Sequence, residues 1–194
     1  MTRAADPRER LLDAALAVIG SEGIRGLTHR RLENEAGLAR GSARYHLGTN
    51  DQIIAATLEH AALRETQMIY GALAKLGLDA LAGNTASHPK MAAALISALL
   101  ENPGVIRARY DLLLEATRRP SLKGEAQRWR AYVVDLVEQG LTAARLDDPH
   151  TNAVLMVAIV DGLTLDAIIA DRTAAPELAE RAVTALLLAS KVAS

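Results

Sequence analysis

The stretch from Thr28 to Asn50 constrains this chain more than any other. Thr28 is placed to cap a short helix carrying His29, Arg30, Arg31, Leu32 and Ala36, and Gly37 with Leu38 supplies a turn. A second short helix, expected from about Ala39 to His46, then carries Arg40, Gly41, Ser42, Ala43, Arg44 and Tyr45, with Leu47 at its end. Two helices joined through a glycine turn, the second studded with arginines, form the helix-turn-helix pattern. The remainder of the chain has to make sense as the support of that element.

The flanking segments supply that support as helices. Asp6 is a good N-cap, Pro7 suits a first helical position and Glu9 stands three after the cap. Leu11, Leu12, Ala15, Leu16, Val18 and Ile19 then recur at helical spacing. Gly20 is expected as a tolerated interior glycine and Gly23 as a left-handed stop. Leu32 and Ala36 are expected to face this first helix. Ala39 is a poor cap for the third, a local cost of about 1 kcal/mol. Thr49 with Gln52 makes a capping box opening a long fourth helix, which is expected to reach about Ala82 before a loop from Gly83 to Ser87. A fifth helix follows, with Met91, Leu95, Ile96, Leu99 and Leu100 as its stripe. The sixth is expected over Val105–Arg119, the seventh over Leu122–Arg145, the eighth over about 150–171 and the ninth from Pro176 to Val192. The expectation is an all-α chain of about nine helices, with a three-helix head over 1–50 and a body over 51–194.

Composition agrees. Phe and Cys are absent and Trp occurs once, whereas Ala and Leu dominate, which favours helices over strands. Without Cys there is no disulfide, thiolate metal site or cysteine nucleophile. The five histidines (29, 46, 60, 88 and 150) fall in separate segments with no metal-binding spacing, and no phosphate loop or nucleophile elbow occurs. The expectation is a non-enzyme without a cofactor. The first fifty residues hold eight arginines against six acids, so any phosphate attraction is local, since the whole chain carries a net charge of −1. No signal peptide is evident, and the longest apolar run, Ala153 to Val160, is too short to span a bilayer and is broken at Asp161. A cytoplasmic protein without a membrane partner is the reading.

The eighth helix is apolar nearly all round, and the ninth has a wide apolar face with small residues. A surface helix should keep one polar face. Either the eighth is the centre of the body, or a second copy covers it in a four-helix interface. Leu155, Ile159, Leu163, Leu178, Ala182 and Leu186 are the candidates for that interface.

Across residues 8–58 the chain resembles the tetracycline-repressor family of bacterial transcriptional regulators. Arg10, Leu11, Leu12, Ala14 and Ala15 match its first helix, Gly23 and Thr28 its connecting segment, Ala36-Gly37-Leu38-Ala39-Arg40-Gly41 its turn, and Tyr45-His46-Leu47 its tyrosine–histidine–aromatic ending. The Asp161-Gly162-Leu163 element and the helix count agree as well. The chain departs from the family at Glu33, where a small residue is usual, at Ala39 (Ser or Thr), at Arg44 (a bulky residue), at Leu47 (an aromatic) and at Asn50 (Lys).

The resemblance implies that the third helix enters the major groove of double-stranded operator DNA. Arg40 is then the first choice for a guanine contact. Ser42 and Arg44 reach base edges or phosphates, Gly41 permits close approach, and Thr28, Tyr45 and His46 contact phosphates, with Arg30 and Asn50 completing the set. Arg30 and Arg31 have the alternative of being solvated or paired with Glu33 and Glu35, which is the preferred reading for Arg31, and His46 has an equal alternative as an internal hydrogen-bonder. The resemblance also implies a small-molecule pocket within helices five to eight, with Met91, Leu95, Tyr110, Leu114, Trp129, Tyr132, Met156 and Asp161 as candidates. Lacking Phe, such a pocket is mainly aliphatic and suited to an apolar or amphipathic effector. Trp129 and Tyr132 at helical spacing have a plain alternative as core, and Asp161 as a pair across the dimer. The function implied is a homodimeric, ligand-responsive repressor; the alternative is an all-helical ligand-binding or interaction protein with a degenerate head.

Overall fold

The computed structural model describes residues 6–76, 87–170 and 173–192, and every regular element among them is helical. α1 spans Pro7–Glu22 and is followed by a 3-10 turn, Ile24–Gly26. α2 spans His29–Ala36, α3 Ser42–Leu47, α4 Asn50–Leu76, α5 Ser87–Leu100, α6 Pro103–Arg118, α7 Pro120–Ala143, α8 Pro149–Ala170 and α9 Ala175–Val192. The expected all-α class and helix order hold. The expected end of the fourth helix near Ala82 and most of the loop after it lie outside the described residues, while Ser87 already belongs to α5.

The helix boundaries follow from local chemistry. Asp6 accepts from the Arg8 amide at 3.3 Å, with Pro7 in the first turn. Thr28 caps α2 through the Arg31 amide at 3.2 Å. Thr49 and Gln52 form the reciprocal capping box, at 2.8 and 3.3 Å. Gly37 ends α2 in the left-handed conformation. Gly23 does not do the same for α1: its φ is 74° but its ψ is 177°, so it diverts the chain into an extended step.

Packing divides the chain into two compact units, residues 1–64 with 102–127, and residues 65–101 with 128–194. In the first, α1 is the hub on which α2, α3 and α6 pack. Leu11, Ala15 and Val18 are fully buried, with Leu32, Ala43, Ile53, Ile106 and Leu112 around them. Gly20 is more than a tolerated glycine. A Cβ there would lie 2.2 Å from the Gly104 carbonyl oxygen, so α6 crosses α1 at a distance only glycine allows. Arg107 fastens the crossing by donating from Nε to the Gly20 carbonyl at 3.0 Å. On α4, His60 and Arg64 both donate to Asp13 of α1 at 2.8 Å.

In the second unit α5, α8 and α9 pack on one another around Ile96, Leu141, Met156, Val183 and Leu187. Asn152, itself buried, donates to the carbonyls of Asp147 and Asp148 at 2.9 Å each and accepts from the Ser190 hydroxyl at 2.7 Å. The turn between α7 and α8 holds two non-glycine residues at positive φ, Arg145 (55°) and Asp148 (46°). α8 has 22 residues and a mean hydropathy of 2.1 over its most apolar window, so by length and composition alone it would cross a membrane. One side of it instead lies in the unit's core, through Ala153, Met156, Val157, Thr164 and Ala167. The other side is a stripe at 155, 158, 162, 165 and 169 that is exposed among the described residues.

Candidate nucleic-acid interface

The structure corrects where the third helix begins. α3 starts at Ser42, not Ala39, because Gly41 occupies its N-cap with φ 94° and brings no side-chain cap. Ala39 and Arg40 therefore stand in the turn ahead of the helix, and the expected penalty of a poor Ala39 cap does not arise. The cap comes from another helix. Glu33 on α2, only 5% exposed, accepts from the amides of Gly41 at 2.9 Å and Ala43 at 3.1 Å. Its expected pairing with Arg31 is thereby overturned: Arg31 binds Glu22 and Glu35, each at 2.8 Å. These hydrogen bonds, from Glu22 first and Glu35 second, hold the Arg31 guanidinium above its ordinary value.

The other end of α3 is also held from α2, where His29 Nε2 contacts the Gly48 carbonyl at 2.7 Å. Arg10 of α1 donates to the carbonyls of Ala36 and Gly37, closing the α2 terminus. Ala43 and Leu47 are buried and anchor α3 to the unit's core, so the opposite side of the helix faces outward. Arg44 and Tyr45 of α3 are exposed, Tyr45 at 85%, as are Arg40 and Gly41 in the turn and Arg30 on α2. Among the described residues the side chains of Arg30, Arg40 and Arg44 make no ion pair or hydrogen bond, in contrast to those of Arg10 and Arg31. Ser42 and His46 are half-buried, and His46 meets the Tyr45 ring edge-on at 4.9 Å. Thr28 is occupied as the α2 cap. Asn50, exposed at the start of α4, borders an open cleft of about 750 Å³ that also has Glu22, Arg25, Asp111, Leu114 and Arg119 on its walls. Arg119 there pairs with Glu115 at 2.6 Å and with Asp51.

The candidate ligand residues divide between the two units. Tyr110 and Leu114 belong to the first unit; Met91, Leu95, Trp129, Tyr132, Met156 and Asp161 belong to the second. Met156 sits in the second unit's core, Trp129 is buried, and Asp161 pairs with Arg130 at 2.7 Å. Met91 and Leu95 are half-buried, and the exposed Tyr132 meets the Tyr70 hydroxyl at 3.2 Å. That hydrogen bond pushes the Tyr132 phenol above its ordinary value. Of the interface candidates, Leu155 lies on the exposed stripe of α8. Ile159, Leu163 and Leu186 are half-buried against the core, and Leu178 and Ala182 are half-buried on α9. Sequence reasoning passed over Ile169 (74% exposed) and Leu188 (62%), which are more open than any of these candidates, and Leu165, which is about as open as Leu155.

A family model described as the tetracyclin repressor-like C-terminal domain matches residues 86–189, more than half of the chain. The chain belongs to the tetracycline-repressor family. A solved member of this family from Streptomyces coelicolor is 31% identical, with 94% of this chain and 98% of that one covered and a TM-score of 0.73. The multidrug binding protein EbrR, in its complex with imidazole, is 31% identical over 95% of this chain and 91% of its own, with a TM-score of 0.62. Its ethidium complex gives 28% identity, coverage of 95% and 99%, and a TM-score of 0.65. A comparison with curated proteins gives no match. The family match rests on the second half of the chain, whereas the resemblance read from sequence rested on the first.

Proposed function

We propose that this tetracycline-repressor family member is a homodimeric, ligand-responsive DNA-binding regulator acting as a repressor in the cytoplasm, with residues 1–50 as its reading head and 51–194 as its effector-binding and dimerisation body. The observation that carries this is the exposed set of Arg40 in the turn and Arg44 and Tyr45 on α3, with no ion pair to the arginines among the described residues, ahead of and along a helix whose inner side is buried. Arg40 in the turn and Arg44 one helical turn later supply base and phosphate contacts, and Tyr45, His46, Thr28, Arg30 and Asn50 add backbone contacts. Two heads placed roughly 34–36 Å apart read a near-palindromic operator.

The exposed stripe of α8, Leu155, Ala158, Gly162, Leu165 and Ile169, with Leu188 of α9, supports a second copy as its cover, because an apolar face of this extent is otherwise a liability. The small Ala158 and Gly162 let two such helices approach closely. EbrR, which shares this fold, is seen with ethidium, and that supports an apolar or amphipathic effector here. In the second unit Met91, Leu95, Trp129 and Tyr132 are the residues proposed to receive it. The effector acts by preferring the body conformation with the wrong head spacing, and its effect on DNA affinity is bounded by that preference.

The test is selection of bound duplexes from random DNA, followed by titration of the selected duplex with ethidium and similar dyes. Recovery of a near-palindrome, with affinity falling steeply as salt rises, is the expected result. Recovery of no preferred sequence, or affinity insensitive to salt, would overturn it in favour of an interaction protein with a degenerate head.

A further inference from the structure

We propose that Glu33 and His29 are the positioning residues of DNA recognition: from α2 they clamp α3 at its two ends and so fix the direction in which Arg40 and Arg44 are presented. The inference rests on the reading of α3 as the DNA-reading helix.

The need for a clamp comes from length. α3 has six residues, and a helix that short does not hold its own first turn together in water. Its leading amides have no partner within the helix, and Gly41 brings no side chain to satisfy them. Glu33 fills that gap with a single carboxylate oxygen that accepts from Gly41 and Ala43. A buried carboxylate is costly unless it is used. Here its charge lies at the end of α3 where the peptide dipoles are positive, and both hydrogen bonds are charge-assisted.

At the other end the Gly48 carbonyl can only accept, so His29 must carry its proton on Nε2 and donate. A donor at that end suits the negative pole of the helix. Residues 29 and 33 are one turn apart on α2 and share a face, so one short helix delivers both grips. Burial of Ala43 and Leu47 fixes the rotation of α3 about its axis. The two clamps fix its position along that axis and its tilt. Arg40 immediately precedes the amide that Glu33 holds, so its backbone is aimed by Glu33 rather than by a residue of its own helix. The departure from family pattern at Glu33 thus supplies from α2 the side-chain cap that Gly41 lacks.

The test uses the full chain with Glu33→Ala, Glu33→Gln and His29→Ala. Two duplexes serve as probes: the one selected by the wild type and a scrambled one of equal length. Glu33→Ala is expected to bind the selected duplex about tenfold or more weakly, as removal of hydrogen bonds to a buried charge implies, while binding to the scrambled duplex changes less than twofold. Glu33→Gln, which keeps an acceptor oxygen but not the charge, is expected to recover part of the loss, and His29→Ala carries the test if Glu33→Ala does not fold. His29→Ala is expected to show a smaller loss in the same direction. Without DNA, amide exchange at Gly41 and Ala43 is expected to accelerate in Glu33→Ala, with Leu11 and Val18 unchanged. Equal losses on both duplexes, or a selected-duplex affinity within twofold of wild type, would overturn the positioning role. Unchanged exchange at Gly41 and Ala43 would overturn the clamp itself. A wild type that selects no duplex would instead overturn the reading of α3, with the exchange result still deciding the clamp.

Discussion

Replacing Gly20 by alanine puts the crossing of α1 and α6 to the test. The added methyl would stand 2.2 Å from the Gly104 carbonyl oxygen, 2.7 Å from its carbon and 3.0 Å from its Cα, all backbone atoms that cannot rotate away. Relief requires α6 to retreat by about 1 Å, which loosens the packing of Ile106 and Leu112 and stretches the bond from Arg107. Overpacking of this kind costs about 1–3 kcal/mol. Against it stands the helix-propensity gain of Gly→Ala, up to about 1 kcal/mol. The net expectation is destabilisation by about 1–2 kcal/mol, or a Tm lower by roughly 2–8 °C for a chain of this size. Thermal unfolding followed by circular dichroism at fixed protein concentration measures it. The control is sharp because the contact is one-sided. Nothing lies within 4 Å of a Cβ built at Gly104 or at Gly71, so alanine at either should be neutral or stabilising. A Gly20→Ala chain as stable as wild type would refute the close approach, and a Gly104→Ala chain equally damaged would refute its direction.

Arg145 sits at φ 55° at the end of α7, a conformation costing an L-residue roughly 1 kcal/mol. Arg145→Gly should therefore raise the denaturant midpoint. At Asp13, burial pushes the carboxyl up, but the hydrogen bonds from His60 and Arg64 outweigh it and leave it below its ordinary 3.8. Its contribution is then complete above that value and fades as pH falls through the lower native one, so Asp13→Asn should flatten the acid limb of a stability–pH curve. Asp at Leu155, Ile169 or Leu188 should give monomers by sedimentation, whereas the half-buried Leu163 and Leu186 should also lose stability when so changed. A dimer that persists in Ile169→Asp would exclude the stripe as its interface.

Much of the framework is legible in the sequence because its signals are local. Asp6 with Pro7, Thr28, Gly37, and Thr49 with Gln52 each act on residues within four of themselves, and each appears at the boundary it announces. What is not legible depends on residues far apart. Gly20 looks like a mere interior glycine until Gly104, eighty-four positions on, is laid against it. Glu33 is conspicuous as a carboxylate where a small residue is usual, yet its role appears only once the chain has turned back at Gly37. The start of α3 is misplaced by three residues because its cap is not adjacent to it. On α8 the apolar residues leave no periodicity, so sequence alone cannot divide the packed side from the open one. Leu163 and Leu165 look alike in the sequence, and only packing separates them.

Asn152 carries a consequence for the second unit as a whole. A bundle built from Ala, Leu and Val has little to choose between one helical register and the next, since such side chains replace one another at small cost. Slide α9 by one turn along α8 and most apolar contacts find equivalents. Asn152 does not: its amide would lose Ser190, and an unmatched buried amide costs about 1–3 kcal/mol. Its two bonds to the turn carbonyls tie the same residue to the α7–α8 connection. One polar side chain thus selects a single alignment from several that greasy packing would tolerate, and the open faces of α8 and α9 are presented as one preorganised surface.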